Sequence, residues 1–208
     1  MVSAPRFVHP LRWEPLPYLV LLVLLVLTGL IRPESGAAFV VLVVAIAAAA
    51  GWLISLFLRE RRMRNPDPMG DLASLDGLEL VDAPSAGGAL RTVVPVGDAH
   101  RHQAGIDLAR LHGGADQHAV LVPRARRWLS PRYRIGVQLV GDGRPRHAGF
   151  VADAADATWR DRLDALREDD RYVRVPARIE GAARPYRVDL DFSGLRAVLG
   201  EDRPNASG

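Results

Sequence analysis

A run of basic side chains with two aromatic residues is the part of the sequence best suited to chemistry. The stretch VPRARRWLSPRYRIGV, residues 122–137, contains five arginines and no acidic residue. Guanidinium groups bind phosphates and aromatic faces stack on unpaired bases, so the stretch suits single-stranded nucleic acid. The same charges suit anionic lipid headgroups or a protein partner. This predicted binding surface consists of Arg124, Arg126, Arg127, Trp128, Arg132 and Arg134.

A structural role is the competing interpretation of this run. Trp128 would then pack into a core, and the arginines would be solvated on a loop. Because all 27 basic residues of the chain are arginine, the choice of arginine over lysine at these positions carries little information. We weigh this interpretation about equally with the two binding interpretations together, and among the latter we favour a protein or the membrane surface.

Other residues with chemical potential are sparse. His100 and His102 would point the same way on a strand, with Asp98 beside them, but exposed histidines are the ordinary interpretation and we predict no metal site. The chain has no cysteine, which excludes cysteine-ligated zinc and a thiol nucleophile. It also has no nucleophile elbow, phosphate loop or paired-carboxylate pattern. We therefore predict a protein that is not an enzyme and has no cofactor.

The 208 residues divide into an apolar first part and a polar, arginine-rich second part. Residues 16–31 carry no charge across sixteen positions, and residues 37–58 carry none across twenty-two. As helices these stretches would extend about 24 Å and about 33 Å, against a hydrocarbon core of about 30 Å. Trp13 and Tyr18 suit the aromatic belt at a membrane interface. The sequence predicts a transmembrane α-hairpin over residues 1–64, with a turn at residues 32–36.

A cleaved signal peptide is the alternative for the first apolar stretch, because Arg6 and Arg12 precede it. No small-x-small cleavage site follows, however, since Arg32, Pro33 and Glu34 come next. The second apolar stretch then begins almost at once. The two-span hairpin is therefore favoured.

Flanking charges predict the orientation of the hairpin. Arginines precede the first span, and a cluster of four follows the second, so the positive-inside bias places both termini in the cytoplasm and the chain in the cell (inner or plasma) membrane. The cluster could also contact anionic headgroups of the lipid bilayer. Small residues in AIAAAAG, residues 45–51, suit close helix approach and a homo-oligomer through the second span. The membrane-surface arginines are Arg59, Arg61, Arg62 and Arg64.

Residues 65–90 contain five acidic residues and no basic one, with turn formers at both ends. This composition predicts an acidic, mostly extended linker with a short ordered piece near residues 78–81. Residues 91–200 carry 19 arginines against 14 acidic residues, which gives the hypothesis that the linker rests on a basic face of the following domain. The alternative is that these exposed charges are simply solvated. Residues 201–208 are predicted to be a disordered tail.

Residues 91–200 read as an α+β soluble domain, a small and partly open β-barrel with two helices. A helix is predicted around Ile106, Leu108 and Leu111. A second helix, over about 153–168, has Trp159 and Leu163 on its apolar face and Asp153 or Asp156 as its cap. The sequence GDGR at residues 141–144 predicts a hairpin turn. Strands are predicted at residues 91–96, 118–122, 133–140, 146–151, 173–179 and 186–190.

Four segments of this domain resemble the HIRAN family in order and spacing. They are VVPVGDAHRHQAGIDLARL at 93–111, AVLVP at 119–123, GVQLVGDGRPRHAGFV at 136–151 and VPARIEG at 175–181. The resemblance implies an OB-like barrel, which in some DNA-repair ATPases grips single-stranded DNA ends. The family's usual Asn-Pro-Tyr-Asp-Pro-Asn-Ala-Val segment corresponds to LSPRYRIGV at 129–137, where its acidic and amide positions have no match. DNA-end recognition is therefore not carried over.

Two functions are compatible with this sequence. The first is a membrane-anchored cytoplasmic interaction module that binds a protein partner or the anionic membrane face. The second is a membrane-tethered protein that binds single-stranded nucleic acid through the basic run. Salt separates them, because a nucleic-acid complex weakens steeply as ionic strength rises.

Overall fold

The computed structural model describes residues 7–8, 13, 15–31, 33–62, 72–85, 92–127, 130–141 and 143–200. Two compact units are present. One contains residues 7–64, and the other contains residues 1–6 with residues 65–208.

The first unit is a pair of apolar helices, α1 (Pro15–Thr28) and α2 (Ala37–Arg62), which contact each other. Proline suits the first position of α1 because its missing N–H would have no partner there. Gly36 takes a left-handed conformation, with φ at 58°, between a 3-10 turn (Pro33–Ser35) and the start of α2. Within the described residues, one stretch, Ala37–Leu56, is long and apolar enough to cross a membrane.

The predicted first span differs from the structure at its end. Helix α1 stops at Thr28 and turns follow through Ile31, so the helix has 14 residues instead of the sixteen predicted. Gly29 lies at the point where the helix ends, as is usual for glycine at helix C-termini. By its length α1 belongs with the shorter apolar helices, and the two-span hairpin stays a prediction.

The second unit contains a closed six-stranded β-barrel with helices, of the predicted α+β class. Strands β6 and β7 also pair with each other, which closes the ring β6-β3-β4-β5-β2-β7. The predicted partly open barrel is therefore wrong in this detail. The described strands are β1 (Glu79–Asp82), β2 (Val93–Gly97), β3 (Asp116–Arg126), β4 (Tyr133–Leu139), β5 (Arg146–Val151), β6 (Arg171–Glu180) and β7 (Arg187–Asp191).

Closure depends on the ten-residue length of β6. One edge of β6 pairs with β3 from Arg178 to Val173. Its other edge pairs with β7 over residues 177–180 and with β1 over residues 171–174. A shorter strand could not serve both β1 and β7 on one edge.

The barrel core follows from the period-two alternation of the strands. In β6, Val173, Val175, Ala177 and Ile179 are buried inward, while the residues between them face outward. Two helices add side chains to the same core. Helix α3 (Gln103–Gly113) buries Ile106 and Ala109, and α4 (Asp153–Arg167) buries Trp159 and Leu163 as its spacing predicts. A short helix α5 (Leu195–Val198) contributes Leu195.

Helix α4 begins differently from the prediction. Ala152 is its N-cap and provides no side-chain hydrogen bond, so neither Asp153 nor Asp156 acts as the cap. The Asp156 carboxylate instead accepts a hydrogen bond of 2.7 Å from the backbone N–H of Ile135 in β4. This acidic residue fastens the helix to the barrel.

Residues 72–85, which we call the strap, lie against the outside of the barrel. Leu72 is buried with Val120, Val122, Val140 and Tyr172, and Leu75, Leu78 and Leu80 pack beside them. Strand β1 within the strap runs parallel to β6. The short ordered piece predicted near residues 78–81 corresponds to β1. Order extends further than predicted, over residues 72–85, where leucines spaced two to three apart cover an apolar face. The rest of the predicted linker, residues 65–71 and 86–90, lies outside the described residues.

The acidic residues of the strap lie on arginines of β6. Glu79 accepts a hydrogen bond of 3.0 Å from Arg171, and the two oxygens of Asp82 accept hydrogen bonds from Nε and Nη2 of Arg174 at 2.6 and 2.8 Å. The hydrogen bond from Arg174 lowers the pKa of Asp82 below its usual range. The expected contact between the acidic segment and a basic face is thus seen at these two pairs.

Candidate interaction surface

The β3–β4 hairpin places the described arginines of the basic run close to α4 and to the turn after β2. Arg124 and Arg126 lie in the last residues of β3, and Arg134 lies in β4 opposite Ala125. Arg127 and Arg132 lie on either side of the hairpin's loop. Trp128, the aromatic residue of the predicted binding surface, lies outside the described residues.

Arg124 forms the strongest of these pairs. Its Nε and Nη2 donate to the two oxygens of Asp164 at 2.5 and 2.8 Å, and Nη2 also reaches Glu168 at 3.3 Å. The hydrogen bond to Asp164 raises the pKa of Arg124 further above its already high value. The Arg124 side chain is 26% exposed and that of Asp164 only 4%. This bidentate pair between Arg124 and Asp164 holds α4 against β3.

Arg127 and Arg134 converge on one carboxylate. Asp98 lies 3.7 Å from an Arg127 nitrogen and 3.8 Å from an Arg134 nitrogen, in a left-handed backbone conformation directly after β2. Arg134 also donates to Asp153 at 2.8 Å, and its guanidinium lies 5.2 Å from the centre of the Phe150 ring. Both arginines are therefore engaged within the barrel unit.

Arg132 lies 3.8 Å from Asp156, whose side chain is fully buried. The same carboxylate accepts a hydrogen bond from Arg160, one turn further along α4. Arg160 is itself buried, so the pair is shielded from water. Asp156 consequently joins α4, β4 and Arg132.

The described arginines of the predicted binding surface thus lie near one another, and four of them face carboxylates of the same unit. Arg124, Arg127, Arg132 and Arg134 each lie within 4 Å of a carboxylate of the same unit. Arg126 is half-buried and also has a partner. Sequence reasoning missed the acidic residues of α4. A sequence pattern that could have revealed them is the spacing of Asp156 and Asp164. These two residues lie eight positions apart, on the same helix face as Trp159 and Leu163.

His100, His102 and Asp98 do not lie together on a strand. His100 lies in a 3-10 turn (Ala99–Arg101) and not on a strand, so the period-two argument for His100, His102 and Asp98 fails. Among the residues that the structure describes, no group of three or more potential ligands could hold a metal ion. His102 instead packs edge-to-face on His147, with ring centres 4.4 Å apart.

His147 is a neutral base in a partly buried position. Its Nδ1 lies 3.2 Å from the amide nitrogen of Gln138, and its ring contacts Phe150 at 5.2 Å between ring centres. Burial, with a smaller contribution from the charge of His102, lowers the pKa of His147 from 6.5 to about 4. His147 therefore stays uncharged in the folded protein at neutral pH.

This burial predicts a loss of stability in mild acid. Between pH 6.5 and about 4 the unfolded chain binds a proton at His147 that the folded chain does not. The free energy of unfolding should therefore fall by up to about 3 kcal/mol across this window, and the penalty should be absent above it. Urea unfolding of the wild type and of His147→Gln at pH 7, 5.5 and 4.5 measures this loss of stability.

The His147→Gln variant should lose less stability than the wild type on acidification, whereas the exposed control His112→Gln should match the wild type. Equal losses in wild type and His147→Gln would contradict the prediction.

The membrane-surface arginines are described only in part. Arg59, Arg61 and Arg62 belong to the last turns of α2 by their backbone, and Arg64 lies outside the described residues. The backbone of α2 therefore includes three of the four predicted membrane-surface residues. Their contact with lipid stays a prediction.

Fold and surface together define a small closed β-barrel of the α+β class, on the same chain as a pair of apolar helices. No protein-family model, no curated protein and no solved structure matches the chain. The resemblance of four segments to the HIRAN family accordingly stays a prediction.

Proposed function

We propose that this protein is a membrane-anchored interaction module. Helices α1 and α2 hold the barrel unit at the cytoplasmic face of the cell membrane, where the barrel contacts a protein partner or the anionic membrane face. The proposed module has no catalytic role. Specificity would come from the surface of the barrel and from its confinement to the membrane.

The outer surface of the helix pair is the observation that carries the proposal. Large apolar side chains remain exposed although α1 and α2 pack on each other, with Val41 68% and Val26 62% exposed. Soluble proteins rarely expose contiguous apolar surface of this extent. A lipid environment would cover these side chains.

Length and charge support two crossings with both termini inside. Helix α1 with its 14 residues spans about 21 Å, and uncharged flanking residues with local bilayer thinning would complete the crossing. Arginines before α1 and at the end of α2 outnumber the single arginine between the helices. This distribution agrees with a cytoplasmic location of the barrel.

The geometry of the basic run favours the interaction module over the nucleic-acid binder. Arginines that bind phosphates must exchange their present partners for the phosphate, and here those partners include the buried carboxylates of Asp156 and Asp164. Leaving a buried carboxylate unpaired is costly. A structural role for these arginines is the simpler account of the contacts.

Extraction of membranes with alkaline carbonate tests the anchor. We expect the full chain to stay in the membrane pellet, because two apolar helices resist extraction. A variant with Val44→Arg and Ala48→Arg, which adds about 3 kcal/mol of insertion cost per charge, should move largely to the supernatant. The matched control Arg144→Ala and Arg187→Ala, on the barrel unit, should stay in the pellet. Release of the wild-type chain would contradict the proposal.

A further inference from the structure

The outer face of α3 exposes two leucines, whereas most other large apolar side chains of the barrel domain are covered. Leu111 is 76% exposed and Leu108 is 44% exposed. Among the described residues of the barrel domain, 92–200, the only other exposed large hydrophobic residue is Val93. Ala104, Leu108 and Leu111 are spaced by four and three, which places them on one side of α3. The opposite side of α3 packs against the barrel, because Ile106 and Ala109 belong to the barrel core.

Basic residues surround this apolar face. Arg101, exposed in the 3-10 turn before α3, forms no ion pair with a described residue. Arg110 lies on the flank of α3 beyond Asp107, where it donates to the Gly181 carbonyl, lies over the Tyr186 ring and forms no ion pair with a described residue. The one acidic residue of α3, Asp107, is paired with Arg184 at 2.5 Å and accepts a hydrogen bond from the Tyr186 hydroxyl at 2.9 Å. The rim of the two leucines is therefore net positive.

We infer that this face of α3, formed by Ala104, Leu108 and Leu111 with Arg101 and Arg110 at its rim, docks on the anionic surface of the bilayer. Leucines that enter the headgroup region together with flanking arginines are the composition of interfacial helices. Each arginine near an anionic membrane contributes only a modest attraction, so the surface alone would bind weakly. Confinement changes this balance.

The inference rests on the proposed function, because confinement requires the anchor. Only nine residues, 63–71, separate the end of α2 from the first described residue of the strap. A barrel held by so short a connection meets the bilayer at a high effective concentration, and a contact that is weak in solution is then populated. Arg124 and Arg134 belong to the same confined barrel, but carboxylates already pair with their charges, so these two arginines gain less from an anionic surface.

A fluorescent probe on this face tests the inference in the full chain. The chain has no cysteine, so Ala104→Cys provides a single attachment point for an environment-sensitive dye. The labelled chain is reconstituted into liposomes of phosphatidylcholine alone or with phosphatidylglycerol. We expect a blue shift of the emission and quenching by nitroxide lipids in the anionic liposomes only.

Matched variants identify the residues responsible. Leu108→Gln with Leu111→Gln should abolish the shift, whereas Val93→Gln, a change at the other exposed apolar residue, should leave it intact. Dye on Thr158→Cys in α4 should not shift in either liposome. A shift that persists in the double leucine variant would overturn the inference. So would a shift that follows the protein-to-lipid ratio instead of the lipid charge, because it would indicate a second copy of the chain.

Flotation of the same liposomes separates this inference from the proposal on which it rests. A chain that floats with the liposomes but shows no shift at Ala104 would overturn the docking face and leave the anchor standing. A chain that does not float would overturn both. A chain that floats and shifts only in anionic liposomes supports both.

Discussion

Replacing Asp156 with alanine is expected to cost the barrel unit about 3–5 kcal/mol, a large part of the stability of an ordinary domain. Asp156 is fully buried, and its removal leaves the buried Arg160 without its counter-ion. It also leaves the Ile135 N–H without the acceptor that lies 2.7 Å away. An unpaired charge and an unsatisfied donor are both costly in a dry environment. Chemical unfolding at neutral pH measures the loss.

Two further variants divide this effect into its parts. Asp156→Asn keeps an oxygen for the Ile135 N–H but removes the charge, so its loss should lie between wild type and alanine. Asp153→Ala removes a carboxylate that is 72% exposed and pairs with Arg134 at 2.8 Å, and exposed pairs contribute at most about 1 kcal/mol. A loss from Asp156→Ala no larger than that from Asp153→Ala would contradict the role assigned to this residue.

The second large effect is expected from the strap. Replacing residues 72–85 with a glycine-serine sequence of equal length should destabilise the barrel by about 5 kcal/mol, because Leu72 and three partly buried leucines lose their contacts. Tyr172 and Val122, now covered, would become exposed. Hydrogen exchange of β3 and β6 amides reports the change, since protection falls with local stability.

A charge variant separates apolar cover from ion pairing in the strap. Glu79→Ala with Asp82→Ala removes the pairs to Arg171 and Arg174 but keeps all four leucines. Both carboxylates are exposed, so this double variant should lose less than about 1 kcal/mol. If it loses as much protection as the glycine-serine replacement, the strap is held by charge and the account based on the leucines is wrong.

The strands of the barrel could be predicted from the sequence because alternation of apolar and polar residues is a local signal. Residues 146–151 form β5 as predicted, and β6 extends the predicted 173–179 by a few residues at its ends. Barrel closure could not be predicted in this way. It depends on which edge of β6 meets β7, a pairing across a turn at residues 181–186 that alternation does not encode.

The acidic partners of the arginine run also could not be predicted from neighbouring residues in the sequence. The sequence shows five arginines without an acidic neighbour, yet four of them find carboxylates on Asp98 and in or directly after α4, 19 to 44 residues away. A buried acidic face on α4 could have been suspected from Asp156 and Asp164 beside Trp159 and Leu163. The packing of the strap was not predicted for a related reason. Its acidic residues and low average hydrophobicity indicated a linker, although it contains four leucines.

Labelling of single cysteines tests the central claim, a membrane hairpin with a cytoplasmic barrel, most directly. The wild-type chain has no cysteine, so Ser35→Cys in the turn between α1 and α2 and Thr158→Cys on α4 report without background. In intact cells or spheroplasts, a membrane-impermeant maleimide should label Ser35→Cys, and it should reach Thr158→Cys only after permeabilisation. Labelling of Thr158→Cys in intact cells, or protection of Ser35→Cys there, would contradict the account.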